Sequence, residues 1–246
     1  YAMKTFSITD VGMVRQVNQD YVYTTDNPLG PLPNLFVVAD GMGGHNAGEI
    51  ASALAISTFS EFMRGARRLG SAAIHEAVLR ANQAVYLESM RDDRKSGMGT
   101  TFTGLCSDKK ALYIAHVGDS RAYLVRNGAI MRVTMDHTLV EEMVMQGLIT
   151  VREAKTHPKR NYITRALGTS QTVDVDLIQL DCRPGDALLL CTDGLSNCVD
   201  ERKMLEAMTS GQDGESIVHA LVQAALDAGG HDNITAMAVF TEEDRR

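Results

Sequence analysis

The sequence has no run of basic residues longer than two, no apolar run near the length of a membrane span, and no cysteines at CxxC spacing. Each absence closes a class of function. Without a basic stripe, in a chain of net charge −7, a nucleic-acid phosphate backbone has nothing to hold it. Without a span of about 20 apolar residues no membrane-crossing helix is expected. Nothing follows a signal-peptide pattern, so no membrane partner and a cytoplasmic location are expected. Cys106, Cys182, Cys191 and Cys198 lack zinc-site spacing, and three lie in or beside apolar strand-like runs. They read as reduced thiols of a cytosolic protein. Any anion bound here must therefore find a local cation, either a metal or a particular arginine. With 246 residues, 44% hydrophobic and 22% charged, there is material for one large globular domain.

The stretch Val37-Val38-Ala39-Asp40-Gly41-Met42-Gly43-Gly44-His45 stands out. Residues 35–39 read as a buried strand, helical spacing begins at Glu49, and residues 40–44 read as a tight turn between them. The turn presents a carboxylate and then glycines, which let backbone approach a ligand and carbonyls point at one. A dinucleotide-type glycine loop is the rival reading. It ranks low because Asp40 would oppose the anion, and because Glu61, about twenty residues on, lies inside a helix; a plain strand-to-helix turn is the third reading.

Around this stretch, residues 5–9 and 21–25 alternate like strands, on either side of a polar loop in which Arg15, read alone, is a solvated residue. Residues 49–63 carry apolar positions at helical spacing, and Ser71 is expected to cap a second helix with the stripe Ile74, Ala77, Val78, Ala81 and Val85. Four strands follow at 100–106, 111–117, 122–125 and 129–134, joined by short connections and therefore antiparallel, with Asn127-Gly128 as a hairpin turn. Residues 139–146 read as a helix and 149–168 as a polar, irregular insertion, in which Lys159 and Arg160 read as solvated charge, with an anionic substrate facing them as the alternative. Strands at 173–180 and 187–191, helices at 201–208 and 215–227, a strand at 234–240 and a polar tail at 241–246 complete the pass. His137, beside an acid and a cap-like Thr138, reads as structural.

Aspartates thus sit at strand ends four times, at Asp40, Asp119, Asp193 and Asp232, each next to Gly or Asn and none with an obvious basic neighbour. Bunched buried carboxylates are costly unless cations neutralise them. All-oxygen ligation favours Mg²⁺ or Mn²⁺ over zinc, and two such ions about 3.5–4 Å apart activate a shared water.

The succession Arg15-x-x-Asn18-Gln19-Asp20, Asp40-Gly41-Met42-Gly43-Gly44-His45, Gly99-Thr100-Thr101, Gly118-Asp119-Ser120-Arg121, Asp136-His137-Thr138, Thr164-Arg165-Ala166-Leu167-Gly168, Asp193-Gly194-Leu195 and Asp232-Asn233 closely resembles the metal-dependent Ser/Thr protein phosphatases of type 2C, in their compact bacterial form. The resemblance runs from about Thr5 to Phe240. It implies an α+β fold, a four-layer α-β-β-α sandwich of two antiparallel sheets flanked by helices, with a flap at about 139–168 beside a metal cleft, the whole of 1–246 being one catalytic domain. It implies that Asp40 bridges two Mn²⁺ or Mg²⁺ ions, that Gly41 offers its carbonyl to the second, and that Asp193 and Asp232 complete the first. Asp119 with Asp193 belongs to a third, weaker position, and Asp20 contributes through bound water. Arg15 is implied as the phosphate-binding cation and His45 as the general acid, in direct attack of metal-activated water on phosphoserine or phosphothreonine without a phosphoenzyme. The implied partners are phosphorylated proteins, substrates of a Ser/Thr kinase, met by a monomer. One departure stands out: the family commonly has Asn-Glu-Asp where this chain has Asn18-Gln19-Asp20, so a neutral amide replaces a carboxylate near the second metal.

Overall fold

The computed structural model describes residues 2–44, 46–108 and 110–242. Strands β1 (Ala2–Asp10), β2 (Asp20–Thr25) and β3 (Leu35–Met42) lead into helices α1 (Ala47–Gly65) and α2 (Ser71–Ser89). Strands β4 (Gly99–Thr100), β5 (Phe102–Ser107), β6 (Ala111–Val117), β7 (Arg121–Arg126) and β8 (Ala129–Arg132) follow. Helices α3 (Leu139–Met145) and α4 (Val151–Thr156) separate them from β9 (Asp176–Asp181) and β10 (Ala187–Cys191). Helices α5 (Asp193–Ser196), α6 (Glu201–Met208) and α7 (Gly214–Asp227) precede β11 (Ile234–Glu242).

The strands form two antiparallel sheets, one in the order β1-β11-β10-β7-β8, the other β2-β3-β5-β6-β9 with β4 added beside β3. Both faces of each sheet are covered, which is why the central strands read as unbroken apolar runs rather than as alternating ones. In β3, Leu35, Val37 and Ala39 pack under α1 and α2, while Phe36 and Val38 enter the layer between the sheets. In β10, Leu189 and Cys191 pack under α6 and α7, while Leu188 and Leu190 meet the facing sheet. The result is the α-β-β-α sandwich that the resemblance implies.

Several boundaries differ from the sequence expectation, each for a physical reason. Strand β3 runs past Ala39 to Met42 because Gly41 and Met42 pair with Thr100 and Gly99, so Asp40 and Gly41 are strand residues and the turn starts at Gly43. The strand expected over 100–106 breaks at Thr101, whose N–H goes to the Asp40 carbonyl at 2.9 Å. Ser71 does not cap α2: it is the first helical residue, and Gly70 before it makes no side-chain cap bond. Packing of Ile74, Ala77, Val78, Ala81 and Val85 holds that helix instead. The segment expected to be irregular contains α4, opened by a capping box between Thr150 and Glu153, a Thr-x-x-Glu signal hidden by polar surroundings. Strands β1 and β11 pair along their full lengths, so β11 extends to Glu242 and takes in the start of the expected tail.

Candidate functional site

At one end of the sandwich the layer between the sheets turns from apolar to polar. The inward alternation that places Phe36 and Val38 between the sheets brings Asp40 to the same side, and that of Leu188 and Leu190 leads to Thr192. Likewise Leu105 leads back to Thr103, Leu112 and Ile114 forward to His116, and Met237 back to Thr235. These inward polar side chains bond to one another: Thr103 Oγ1 meets His116 Nδ1 at 3.0 Å, and Thr101 Oγ1 meets Ser120 Oγ at 2.7 Å. Thr101 Oγ1 also accepts the Asp40 N–H at 2.8 Å. The turn carrying Asp119 is thereby tied to the strand carrying Asp40.

The carboxylates come from separate segments. Asp20 stands opposite Asp40 in the β2–β3 pair, so the two side chains share a face. Asp119 lies in the β6–β7 turn, and Asp193 begins α5 rather than sitting in a simple Asp-Gly turn. Gly194 packs so closely that a Cβ there would fall 1.9 Å from the Asn233 carbonyl oxygen, which brings Asp193 beside Asp232. Gly41 is equally constrained, since a Cβ would fall 1.9 Å from the Gly48 carbonyl.

Electrostatics show how crowded the group is. Burial, then the charges of Asp20, Asp193, Asp119 and Asp232, push the Asp40 carboxyl well above its ordinary range. Burial, opposed by hydroxyl donors, takes Asp20 up to about 7. Burial and Asp232 take Asp193 up to about 6, although a hydrogen bond with Asp40 works the other way. Burial and Asp193 raise Asp119. The Oδ1 atoms of Asp20, Asp119 and Asp193 are buried without a hydrogen-bond partner. Among the described residues, no three His, Cys, Asp or Glu side chains already converge as a finished cation cage; here Arg15 engages Asp232. Orphaned oxygens on several mutually repelling acids nevertheless suit a hard divalent cation.

Acids with raised pKa hold protons in the folded state that the unfolded chain has released. Stability without metal is therefore fully present below the ordinary Asp value of about 3.8 and lost as pH rises through about 6 to 7. In chelator, the melting temperature should fall on the order of 10 °C between pH 4.5 and pH 7.5, an interval read from those two groups. Millimolar Mn²⁺ should remove most of the fall. A melting temperature that rises over the same interval in chelator would contradict this coupling.

Arg15 is the basic neighbour that the linear sequence did not reveal. Its Nη2 donates to Asp232 Oδ2 at 2.9 Å, with both side chains partly exposed. Asn233 shapes the loop that delivers it, donating from Nδ2 to the carbonyls of Val11 and Val17 and accepting the Gln19 N–H at Oδ1. His137 is structural, as expected: Nδ1 accepts the Gly118 N–H at 2.9 Å. Nε2 then carries the proton, and it faces Asp176 Oδ2 at 3.1 Å. Arg165, at the end of the flap, pairs with the other oxygen of Asp176 at 3.0 Å. The flap base is thus joined through His137 to the turn bearing Asp119. Lys159 and Arg160 are exposed.

Of the residues singled out in the sequence, Asp20, Asp40, Asp119, Asp193 and Asp232 gather at this end, Arg15 reaches its edge, and Gly41 lies in β3 with its N–H on the Gln19 carbonyl. His45 lies outside the described residues. Sequence reasoning gave no role to Thr101, Ser120 and Asn233, although they stand in the quoted motifs, and missed Thr192 and Thr235. The signal was present: each but Asn233 is a polar residue at the inward position of an otherwise apolar strand end.

The family described as Protein phosphatase 2C matches residues 13–228. The serine/threonine protein phosphatase PstP of Mycobacterium tuberculosis (strain ATCC 25618 / H37Rv) is 39% identical over 230 residues, covering 93% of this chain and 43% of PstP. The chain therefore spans less than half of that relative. The serine/threonine phosphatase stp of Listeria monocytogenes (strain ATCC BAA-679 / EGD-e) is 36% identical over 236 residues, covering 94% of this chain and 93% of stp. A solved catalytic domain of PstP in complex with two manganese ions superposes with a TM-score of 0.85 at 34% identity, covering 98% of this chain and 99% of that one.

Proposed function

The chain belongs to the protein phosphatase 2C family, and from that membership we propose that it is a metal-dependent phosphoprotein phosphatase acting on phosphoserine and phosphothreonine. The observation that carries this reading is the cluster itself, five aspartates from distant segments, of which Asp20, Asp119 and Asp193 each keep a bare buried oxygen, with a partly exposed arginine at their edge.

Asp40, the Gly41 carbonyl, Asp193 and Asp232 would hold two Mn²⁺ or Mg²⁺ ions, with Asp20 alongside, and Asp119 with Asp193 would hold a third more weakly. Such ions, when bound, neutralise the carboxylates and make water acidic enough to serve as a nucleophile at neutral pH. Arg15 binds the phosphate: its guanidinium fork matches two phosphate oxygens, and it moves from Asp232 to the substrate. His45 protonates the leaving alkoxide. Cys106 and Cys191 do not serve as nucleophiles, because burial pushes both thiols up to about 12, where the reactive thiolate is absent at neutral pH. On this reading water attacks the phosphorus directly, and the substrate is hydrolysed without a phosphoenzyme.

On this reading residues 1–246 act as one catalytic domain, a cytoplasmic monomer opposing a Ser/Thr kinase, with the flap at 139–168 beside the cleft. No helix among the described residues is long and apolar enough to cross a membrane.

Hydrolysis of a phosphothreonine peptide and of p-nitrophenyl phosphate should require Mn²⁺ or Mg²⁺ and stop in EDTA; full turnover in chelator removes the proposal. Arg15→Ala should raise the KM for phosphopeptide about tenfold, as expected for a lost charge-assisted hydrogen bond, with a smaller change in kcat. A KM equal to that of the parent would leave Arg15 only as the counter-charge of Asp232.

A further inference from the structure

Asp20 is gripped from across the sandwich. Its Oδ2 accepts hydrogen bonds from Thr192 Oγ1 at 2.7 Å and from Thr235 Oγ1 at 2.6 Å, while its Oδ1 is buried and has no partner. Asp20 opens β2 in one sheet; Thr235 lies in β11 of the other, and Thr192 directly follows β10 of that same sheet. Both threonines are fully buried.

The grip is itself oriented. Thr192 Oγ1 accepts the Thr235 N–H at 3.1 Å, which leaves its single proton for the carboxylate. The Thr235 hydroxyl meets that of Thr9 at 2.9 Å, which in turn accepts from Asn18 Nδ2. Asn18 Oδ1 takes the Asp20 N–H at 3.1 Å. Gln19, the residue before Asp20, brings no charge and donates its side-chain amide to the Gly43 carbonyl at 3.2 Å. Asp20 is therefore the only anionic side chain that this strand entrance, residues 18–20, sends toward Asp40.

We propose that Thr192 and Thr235 are positioning residues for metal binding: by saturating Oδ2 they leave Asp20 to meet the cation pair through Oδ1 alone, in an orientation fixed by the facing sheet. The inference rests on the metal-centre reading given under Proposed function. Two rigid donors on one oxygen exclude a carboxylate that swings or chelates with both oxygens. They also tie the ligand on one sheet to hydroxyls of the other, so a bound cation would brace the two sheets. Partners that orient a ligand in this way are typically worth about 10–100-fold in metal affinity.

The test is calorimetric titration of Mn²⁺ into protein stripped of metal, with melting temperatures of the metal-free forms measured in parallel. Thr192→Val together with Thr235→Val keeps the shape and removes both donors; it should weaken Mn²⁺ binding at least tenfold, and the two serine replacements should restore it to within about threefold. Asp20→Asn should weaken binding comparably, and adding the valine pair to it should cause little further loss, since both changes act on one interaction. Should the valine pair fail to fold, Thr192→Val alone against Asp20→Asn gives the same cycle. Valine variants that melt lower but bind Mn²⁺ as tightly as the parent, or whose losses add in full to that of Asp20→Asn, would overturn the proposal. A parent that binds no Mn²⁺ would remove the metal centre as well, so the two failures are distinguishable.

Discussion

Asp193→Asn should lower kcat/KM for a phosphothreonine peptide by about three orders of magnitude, equivalent to about 4 kcal/mol of transition-state stabilisation, while the protein remains folded. The substitution keeps the side chain's shape, and a carbonyl at this position still accepts from Asn197 Nδ2, which now donates to Asp193 Oδ2 at 3.1 Å. Only the charge and one anionic oxygen are lost. That charge matters twice, because Asp193 is assigned to the core ion pair and to the third position with Asp119.

The metal-free protein should respond in the opposite sense. Burial and then Asp232 oppose ionisation of Asp193, and its charge in turn helps to raise Asp40 and Asp119. Removing it relieves repulsion, so the variant should melt a few degrees higher than the parent in chelator at pH 7.5, from about 1–2 kcal/mol of relief. Added Mn²⁺ should stabilise it less than it stabilises the parent. Lost activity with a lower melting temperature in chelator would mean that Asp193 supports the fold, and retained activity would take it out of the metal set.

The second large effect concerns leaving-group protonation. His45→Ala should slow phosphothreonine peptide turnover by about 10²–10⁴-fold, the usual worth of a general acid, and slow p-nitrophenyl phosphate much less. A serine or threonine alkoxide is a very poor leaving group and needs a proton as the P–O bond breaks, whereas a nitrophenolate leaves as a stable anion. Comparing kcat for the two substrates in one variant cancels any shared loss of metal or of fold. Equal losses on both would argue that His45 does not donate the proton.

The fold was legible wherever a strand is buried on both faces or a helix carries one apolar stripe. The 187–191 strand and the 201–208 helix were read at their observed limits, because packing and local pattern agree there. The misread boundaries lie where pairing partners come from afar. Residues 40–42 look like a glycine turn until Gly99 and Thr100 add to their edge, and Asp20 joins β2 through its pairing with Asp40. The acid cluster was legible as a repeated strand-end pattern at Asp40, Asp119, Asp193 and Asp232, and Asp20 entered only with the resemblance.

What stayed hidden is the scaffolding that aims those acids. The bond between Arg15 and Asp232 joins residues 217 positions apart, and the hydroxyls on Asp20 come from the facing sheet. A threonine at a strand end is ordinary in sequence. Only the closing of one sheet over the other makes it a donor to a buried carboxylate.

Whether these distant aspartates cage divalent ions is decided by titration calorimetry of Mn²⁺ into the chelator-stripped chain at pH 7.5, beside the Asp40→Asn form. Caging requires at least two ions per chain in the parent and loss of the tight binding in Asp40→Asn; a parent without saturable Mn²⁺ binding, or an Asp40→Asn curve that superimposes on the parent's, would contradict it.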